Sequence, residues 1–428
     1  GLLLSGNKIV GVATSLGLQI MSKTVILTNG TFLNGLIHIG EKQFGGGRAG
    51  EKASFGITEA LTDFGFDSGR MKTGTPPRVD GRSLDYSKME EQPGDKITET
   101  FSYLDTTPLE KQRSCYLTHT NSKVHEILKE GFDRSPMFTG RIQSTGPRYC
   151  PSIEDKIDRF ASKDRHQVFV EPEGWNTVEI YVNGFSTSLP EDIQDKAIRH
   201  IPGFENVKFF RYGYAIEYDY FPPTQLTHSL ETKLIENLFF AGQINGTTGY
   251  EEAAAQGLMA GVNAALKTQD KEPFTLKRSD AYIGVLIDDL ITKGTDEPYR
   301  MFTSRAEYRT LLRQDNADSR LTPLGYKLGL ASKERLDRVT EKQQKTAKFI
   351  KFLENTSVTK EQINPILDRK GLSKINQSVK LYKITARPQL NLSDFKDLAC
   401  LQDFILSENI GKKIIEQVEI HLKYSGYI

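Results

Sequence analysis

The sequence predicts an α/β fold in which a doubly wound sheet is interrupted by a mixed α+β insertion and is followed by helices. The run Thr24–Thr28 is short, apolar and β-branched, which is typical of a buried strand. Residues 238–265 give a strand, a glycine-rich loop and an alanine-rich helix in succession, the order found in dinucleotide-binding folds. From about Lys277 the hydrophobic pattern becomes helical.

The first part of the chain is rich in strand signals. Lys8–Val12 and Gly17–Ile20 alternate like the two strands of a hairpin. Strand-like runs and glycine-rich turns continue to about Gly74, where the double proline Pro76–Pro77 breaks regular structure. Because such a sheet needs partners that the first residues do not supply, we expect the fold to include a segment upstream of Gly1.

A mixed unit and then helices follow along the chain. The mixed unit has polar turns, a predicted helix at Ser122–Lys129 and an alternating strand at Val178–Val182. Charge-rich helices are predicted at Glu334–Leu353 and Asn409–Ile428, and Arg305, Arg309 and Arg313 have the spacing of one helical face. We therefore expect four segments, with the bounds 1–73, 74–221, 222–275 and 276–428.

Composition limits the class of protein. With 37% hydrophobic and 26% charged residues, the 428-residue chain is typical of a globular protein with two or three packed units. The 56 basic and 55 acidic side chains nearly balance, so net charge says nothing about a polyanionic partner. The three cysteines are widely separated and form no CxxC motif, which indicates a reducing compartment and no structural zinc site.

Six ordered motifs carry a resemblance to a known family. They are GTFLNGLIHIG (Gly30–Gly40), GGRAGE (Gly46–Glu51), KTGTPPR (Lys72–Arg78), GPRYCPSIEDK (Gly146–Lys156), AGQINGTTGYEEAAAQG (Ala241–Gly257) and EPYRMFTSRAEYR (Glu297–Arg309). Together they closely resemble the MnmG/GidA family, from the first residues to at least Thr322. Long ordered strings of this kind are far more specific than one glycine-rich motif.

The resemblance implies a flavoprotein of the glutathione-reductase type, with a Rossmann-like domain for FAD and NAD(P), an α+β insertion and a helical C-terminal region. Such an enzyme uses FAD and NADH and works with the GTPase MnmE. It adds an aminomethyl or carboxymethylaminomethyl group to C5 of the wobble uridine 34 of tRNA, with methylenetetrahydrofolate as carbon donor. The resemblance further implies an RNA-binding, cytoplasmic homodimer. Segments 1–73 and 222–275 would then form the FAD-binding domain, and 74–221 would hold the nicotinamide-binding stretch.

The resemblance also assigns site residues. Ser54 and Gln243 are expected to contact FAD, and Cys150 is expected to be a reactive thiol. The expected nicotinamide-binding stretch is Gly146, Pro147, Arg148, Tyr149, Cys150, Pro151, Ser152, Ile153, Glu154, Asp155, Lys156, Ile157, Asp158, Arg159 and Phe160.

The chemistry of the reaction favours the assignment of Cys150. C5 of a pyrimidine becomes nucleophilic only after a thiolate or similar group adds to C6, so the enzyme needs an activated nucleophile. Arg148, Lys156 and Arg159 give Cys150 a cationic neighbourhood in the sequence, which lowers the pKa of a thiol. The alternative is a buried, inert cysteine, as most free cysteines are.

Other polar residues have simpler interpretations. Cys115 and Cys400 are predicted to be structural, and His119 and His125 are predicted to be satisfied polar residues. The cluster Arg300, Arg305, Arg309 and Arg313 is either a solvated helix face or a grip on phosphates, with Asp288, Asp289 and Glu297 as nearby acidic partners.

Two departures from the family pattern leave other functions open. The glycine-rich fingerprint that precedes this region in the family is absent here, together with a second redox-relevant cysteine. The helical region is expected to be truncated before most of the tail that docks on MnmE. A folate-dependent tRNA methyltransferase of the TrmFO kind is an alternative, which the mixed segment 74–221 disfavours. A non-catalytic RNA-binding fragment is another.

Overall fold

A computed structural model describes residues 1–96, 100–107, 109–146 and 151–426. They form two compact units. The first comprises Gly1–Glu99, Thr107–Leu276 and Ile283–Phe302, and the second comprises Thr100–Thr106, Lys277–Tyr282 and Thr303–Ile428. Within the described ranges, none of the helices combines the length and the apolar character needed to cross a membrane. This division into two units does not test the predicted segment bounds at residues 73, 221 and 275, which stay a prediction.

The first unit contains most of the strands. They are β1 (Leu2–Ser5), β2 (Lys8–Ala13), β3 (Gln19–Met21), β4 (Val25–Leu27), β5 (Leu36–Ile39), β6 (Lys42–Gly45), β7 (Gly69–Thr75), β8 (Arg78–Asp80), β9 (Glu90–Gln92), β10 (Cys115–His119), β11 (Gln167–Pro172), β12 (Glu179–Asn183), β13 (Phe209–Arg211), β14 (Tyr214–Tyr220) and β15 (Leu238–Phe240). The α-helices as far as residue 293 are α1 (Ile57–Asp63), α2 (Ser122–Lys129), α3 (Ile153–Arg159), α4 (Glu191–Ile198), α5 (Tyr250–Thr268) and α6 (Tyr282–Lys293).

The strands form sheets of different kinds. Strands β4 and β15 pair in parallel, with Val25 opposite Leu238, although they are far apart in the sequence. This confirms the prediction that the runs at Thr24–Thr28 and at residues 238–241 share a sheet. A four-stranded sheet has the order β6-β5-β14-β7, a six-stranded antiparallel sheet has the order β13-β8-β12-β11-β10-β9, and β1-β2-β3 form an antiparallel meander.

The described part of the first unit contains two large hydrophobic cores. One lies around the parallel pair and α5, and includes Leu27, Leu238, Phe240 and Met259. The other lies under the six-stranded sheet, where α2, α3 and α4 bury residues such as Val124, Ile153 and Ile193. The four-stranded sheet contributes few residues to either core.

The second unit is mainly helical and has a core of its own. Its elements are α7 (Ala317–Lys327), α8 (Lys333–Asn355), β16 (Ser357–Val358), α9 (Lys360–Arg369), β17 (Val379–Lys380), α10 (Leu381–Thr385), α11 (Ala399–Ser407) and α12 (Lys412–Tyr424). Phe349 and Phe395 are fully buried in this core. Helix α8 begins after Ser332, whose Oγ accepts a hydrogen bond from Arg335 N at 3.2 Å, as an N-cap residue does.

Several local predictions are confirmed. Helix α2 has the predicted bounds, because Asn121 caps it by accepting a hydrogen bond from Val124 N at 3.0 Å. The predicted hairpin is present, with Val12 opposite Ile20. The predicted helices at Glu334–Leu353 and at the end of the chain correspond to α8 and α12.

The prediction of a helical face for Arg305, Arg309 and Arg313 is wrong. Between α6 and α7 the chain forms short turns instead, with Ala306 N bonded to Thr303 O and Leu311 N bonded to Tyr308 O. The guanidinium of Arg313 donates to Thr310 O at 2.5 Å and to Asp315 Oδ1 at 3.0 Å. It thereby occupies a carbonyl that a continuing helix would have used.

Candidate functional site

Two loops meet at the carboxyl ends of the parallel strands β4 and β15. Ala241 N donates to Leu27 O at 3.0 Å, so the strands leave the sheet side by side. The loop after β4 contains Gly30, and a Cβ added at Gly30 would lie 3.8 Å from Oε1 of Gln243 in the loop after β15. Carboxyl ends of parallel strands are where α/β folds bind ligands. These loops therefore define a candidate crevice.

The loop after β15 depends on glycine. Gly242 has φ 87° and ψ −138°, a conformation open only to glycine, and Gly246 has φ 75°. A Cβ at Gly246 would lie 2.6 Å from Thr295 Oγ1 and 3.0 Å from Met71 Cε. The loop therefore packs closely against the four-stranded sheet.

A buried glutamine on α5 holds this loop from behind. Gln256 Oε1 accepts from Gly242 N at 3.1 Å and from Asn245 Nδ2 at 2.8 Å. Its Nε2 donates to Thr247 Oγ1 at 3.0 Å, and Thr247 Oγ1 donates in turn to Gly242 O at 2.8 Å. Gln256 is fully buried. The shape of the loop is thus fixed by one side chain, whose role the sequence analysis missed although it lies within the AGQINGTTGYEEAAAQG motif.

The structure places both predicted FAD residues beside the segment that follows β4. Gln243 is next to Gly30, and its Nε2 donates to Tyr218 OH at 3.2 Å. Burial raises the pKa of Tyr218 to about 12, so its hydroxyl stays protonated. Ser54 N donates to Phe32 O at 2.8 Å. Asn29 Oδ1 is buried in the same segment and has no hydrogen-bond partner among the described residues.

The start of α5 carries acidic side chains. Glu251 and Glu252 lie in its first turn, and Tyr250 is 92% exposed. Glu252 is buried and accepts from Met301 N at 2.7 Å and from Arg300 Nε at 3.3 Å. These carboxylates already interact with the positive end of the dipole of α5. The start of the helix is therefore a less favourable site for a phosphate than for the polarised edge of a neutral ring.

The predicted nicotinamide-binding stretch is described only in part. Pro147, Arg148, Tyr149 and Cys150 lie outside the described residues, so the predictions for Arg148 and Cys150 stay predictions. Residues 153–159 form α3, which Ser152 caps by accepting from Asp155 N at 3.2 Å. Ile153 and Ile157 are buried in the core under the six-stranded sheet, whereas Phe160 is exposed.

Residues 144–146 run along the free edge of β7. Thr145 forms a parallel bridge with Met71, and Lys72 N donates to Thr145 O at 3.1 Å. Met71 also contacts the glycine loop, because its Cε would lie 3.0 Å from a Cβ at Gly246. A single residue of β7 thus contacts both the crevice loop and Thr145, the residue immediately before the predicted nicotinamide-binding stretch.

The face of the four-stranded sheet opposite to Tyr218 carries charged groups. Glu217 lies opposite Lys72 in the register of β14 and β7, on the other face from Tyr218. His38 Nε2 lies 2.9 Å from Glu217 Oε2, and Ser144 Oγ donates to Glu217 Oε1 at 2.6 Å. Burial alone would raise the pKa of Glu217, but the hydrogen bonds from His38 and Ser144 lower it to about 2.

Two buried residues with ionisable side chains were given no separate role from the sequence: Lys72, which lies beside the predicted stretch, and Glu154, which belongs to it. Lys72 Nζ donates to Met137 Sδ at 3.2 Å, and a Cβ at Gly146 would lie 3.1 Å from Lys72 Cδ. Glu154 Oε1 accepts from Ser188 N at 2.9 Å, whereas its Oε2 has no partner among the described residues. Burial raises the pKa of Glu154. A lysine inside a predicted strand was the available signal, because such a position is normally apolar.

The remaining predicted residues have ordinary surroundings. Cys115 and Cys400 are half-buried, and burial raises the pKa of the Cys115 thiol, which makes it a poor nucleophile. His125 is buried with Nε2 2.8 Å from Thr120 Oγ1, and burial lowers its pKa. Arg300 belongs to the first unit and pairs with Glu252, whereas Arg313 belongs to the second and pairs with Asp315.

Comparison with known proteins decides the family. The family described as "Glucose inhibited division protein A" matches residues 1–272, and the family described as "tRNA modifying enzyme MnmG/GidA C-terminal helical domain" matches residues 333–428. A protein of Christiangramia forsetii named "tRNA uridine 5-carboxymethylaminomethyl modification enzyme MnmG" is 68% identical over 429 residues, which cover 100% of this chain and 69% of that protein. The chain belongs to the MnmG/GidA family.

Further relatives agree with this assignment. A Flavobacterium johnsoniae protein with the same name is 67% identical, over 100% of this chain and 69% of its own length. The solved structure of Aquifex aeolicus GidA is 44% identical, has a TM-score of 0.86, and is matched over 100% of this chain and 67% of the Aquifex chain. These MnmG/GidA relatives confirm the predicted fold class, a Rossmann-like α/β domain with an insertion and a helical C-terminal domain.

Proposed function

We propose that this chain is part of a flavin-dependent enzyme that modifies C5 of the wobble uridine of tRNA, adding an aminomethyl or carboxymethylaminomethyl group together with the GTPase MnmE. The names of its MnmG relatives support tRNA uridine as substrate. The observation that carries the proposal is the position of Met71, which contacts both the glycine loop at Gly246 and the sheet edge at Thr145. A flavin in the crevice and a nicotinamide near Gly146 would then be neighbours.

The residues of the crevice fit FAD. Gly30, Gly242 and Gly246 leave the backbone open to a close ligand, and Gln243 offers an amide beside it. The orphaned Oδ1 of Asn29 gives a buried acceptor that a ligand donor would satisfy. We therefore propose that Ser54 and Gln243 contact FAD, which supplies the hydride chemistry of the reaction when it is bound.

The residues around Gly146–Phe160 are proposed to hold NADH. Arg148 would lie near its phosphates, and Lys72, Glu154 and Glu217 would fix the protein around it. The negative Glu217 holds Ser144, and with it the start of the stretch, against β14. Replacing Arg148 by alanine should weaken NADH binding in the intact enzyme, and an unchanged Kd for NADH would contradict this assignment.

Cys150 is proposed to activate the uridine. Its thiolate adds to C6, which forms the S–C6 bond and makes C5 nucleophilic. C5 would then bond to the methylene carbon of methylenetetrahydrofolate as one of the two bonds from that carbon to folate nitrogen breaks, and an amine would replace the second folate nitrogen to give the aminomethyl group. Loss of the C5 proton to a base and departure of the thiolate restore the pyrimidine ring. The protein must therefore keep a thiolate available and exclude water from the bound base.

The experiment that tests the proposal has two parts. The absorbance spectrum of the purified chain, titrated with FAD, should show a bound flavin, and Gln243→Ala should weaken its binding. Wobble uridine isolated from tRNA should carry the modification in cells that make the intact enzyme, and should lose it when the Gln243→Ala form replaces that enzyme. A modified base at wild-type levels in those cells would contradict the role of Gln243. The proposed cytoplasmic location and homodimeric state are predictions of the family resemblance.

A further inference from the structure

A cavity in the second unit is lined by an excess of basic side chains. Its volume is about 280 Å³. The lining cations are Arg335, Arg338, Lys342, Lys345 and Lys413, and the lining carboxylates are Asp105, Asp318 and Glu341. Arg335, Arg338, Lys342 and Lys345 follow one another at helical spacing on α8, so they form one stripe along that helix. We call this feature the α8 cavity.

Some of these cations are already neutralised. Lys342 Nζ lies 3.0 Å from both carboxylate oxygens of Asp318, and Asp318 is buried. Lys345 pairs with Glu341 at 2.8 Å, and Arg338 pairs with Asp105 at 2.8 Å. Because Asp318 is buried and Lys342 is partly buried, this pair stabilises the floor of the cavity, whereas the more exposed pairs contribute little to stability.

Arg335 and Lys413 differ from their neighbours. Across the described part of the chain, neither side chain has a recorded hydrogen bond or ion pair; Arg335 takes part only through its backbone N, which donates to Ser332. Lys413 lies in the first turn of α12, whose N-cap Gly411 provides no side-chain acceptor. The unneutralised backbone N–H groups of that turn add to the positive potential of the cavity. Lys413 lies close enough to Asp105 to help lower the pKa of that carboxyl group, but neither Arg335 nor Lys413 is held by an ion pair among the described residues.

Aromatic side chains accompany this positive surface. Tyr103 lines the cavity, and its hydroxyl donates to Gln314 O at 2.7 Å, which fixes the position of the ring. Phe101 lies two residues earlier and is fully exposed. Basic side chains beside exposed aromatic rings are the combination by which proteins hold single-stranded nucleic acid, with cations on phosphates and rings on bases.

We propose that the α8 cavity binds phosphates of an RNA backbone, with Arg335 and Lys413 as the contacting cations. The proposal rests on the proposed function, because it adds a second contact to the same tRNA substrate. The volume of the α8 cavity favours RNA over a dinucleotide cofactor as the source of the phosphate. Pockets that enclose a whole small-molecule ligand are about 300–1,000 Å³, so this cavity suits one or two backbone phosphates better than a complete dinucleotide.

The test measures binding of a fluorescent, unmodified tRNA transcript to the full chain at several salt concentrations. The double variant Arg335→Gln with Lys413→Gln should bind roughly tenfold more weakly near physiological salt, and the slope of log K against log salt should fall by about one to two. Lys351→Gln is the matched control. Lys351 is exposed on α8, but it does not line the cavity, so the variant removes a charge from the same helix without touching the site.

A competition arm identifies the source of the phosphate. Unlabelled single-stranded RNA should displace the transcript from the wild-type chain, whereas NADH at the same phosphate concentration should not. Equal displacement by NADH would overturn the assignment to RNA. If the wild-type chain binds the transcript and the double variant binds it with the same Kd and salt slope, the α8 cavity is excluded while the proposed function stands. If the wild-type chain binds no tRNA, both proposals fail.

Discussion

Two buried acidic side chains near the predicted nicotinamide-binding stretch have pKa values shifted in opposite directions, because their partners differ. Glu217 receives hydrogen bonds from His38 and Ser144, which lower its pKa to about 2 despite its burial. Glu154 receives its bonds from Ser188, and burial raises its pKa. Glu217 is therefore ionised at neutral pH, and an ionised carboxylate only accepts, so His38 carries a proton on Nε2.

The ionised state of Glu217 predicts a stability that depends on pH. Its pKa is about 2 in the folded chain and 4.5 in the unfolded reference, so its contribution is present above pH 4.5 and is lost as the pH falls toward 2. We expect Glu217→Gln to lower the free energy of unfolding by roughly 3 kcal/mol at neutral pH. The difference between wild type and variant should shrink in denaturant titrations between about pH 6 and about pH 3. A difference that stays constant over this range would contradict the assignment.

Cys150→Ser is the sharpest prediction at the residue scale. A hydroxyl is nearly isosteric with a thiol but stays protonated near neutral pH, so the variant of the intact enzyme should lose uridine modification while keeping its flavin and melting temperature. The variant should have a lower rate of turnover but nearly the same affinity for tRNA, because phosphate contacts would supply most of that affinity. Mass spectrometry of wobble nucleosides provides the measurement.

The matched control is Cys115→Ser. Cys115 is half-buried in β10, and burial raises the pKa of its thiol, so its replacement should leave modification unchanged. Wild-type levels of modified uridine in the Cys150→Ser enzyme would exclude Cys150 as the essential nucleophile.

At the scale of elements, β15, its glycine loop and α5 act as one structure because Gln256 joins them. Its amide bonds to Gly242, Asn245 and Thr247 within the loop. A leucine at this position would have a similar size but would leave the Gly242 N–H and the Asn245 amide without their buried acceptor. Unsatisfied buried polar groups cost about 1–3 kcal/mol each.

We therefore expect Gln256→Leu to lower the free energy of unfolding by roughly 2–4 kcal/mol and to weaken FAD binding at the same time. Gln194→Leu is the matched control. Gln194 is also fully buried, near the core under the six-stranded sheet, and bonds to Leu189 O, Gly213 O and Gly213 N. The control should lose similar stability in urea titrations but keep the Kd for FAD. Equal loss of FAD affinity in both variants would indicate a general effect of instability.

The elements that could be predicted from the sequence are those with strong local signals. The helix Ser122–Lys129 and the alternating strands that place Val12 opposite Ile20 were predicted directly from the sequence. The arginines after Pro298 were misassigned, because Arg313 bonds to Thr310 O and a four-residue spacing cannot reveal such a competing turn. The role of Gln256 and the proximity of Met71 to Gly246 depend on pairings between distant segments, which spacing along the chain does not encode.

At the scale of the whole molecule, each compact unit has hydrophobic cores of its own. The cores of the first unit lie around the parallel pair and under the six-stranded sheet, and the core of the second lies among α8 to α12. The candidate crevice belongs to the first unit, and the α8 cavity belongs to the second. Damage to one core should therefore affect mainly the site in the same unit.

Phe349→Ala tests this separation. Phe349 is fully buried in the second unit, with its ring centroid 5.2 Å from that of Phe404, so its truncation should cost roughly 3–5 kcal/mol. Calorimetry should show an earlier transition for the variant, and the Kd for FAD measured below that transition should equal the wild-type value. Weaker FAD binding under those conditions would contradict the independence of the two units.

The bonds of Gln256 also bear on the entropy of ligand binding. Ordering one residue of a flexible loop costs roughly 1–2 kcal/mol, so a loop that became ordered only with its ligand would lose much of the affinity. The Gly242–Gly249 loop is ordered by folding instead, through bonds from α5. The amide proton of Gly242 should therefore exchange with deuterium slowly even without flavin, because its exchange requires the bond to Gln256 on α5 to open. A flavin would thus enter a crevice that already has its binding shape.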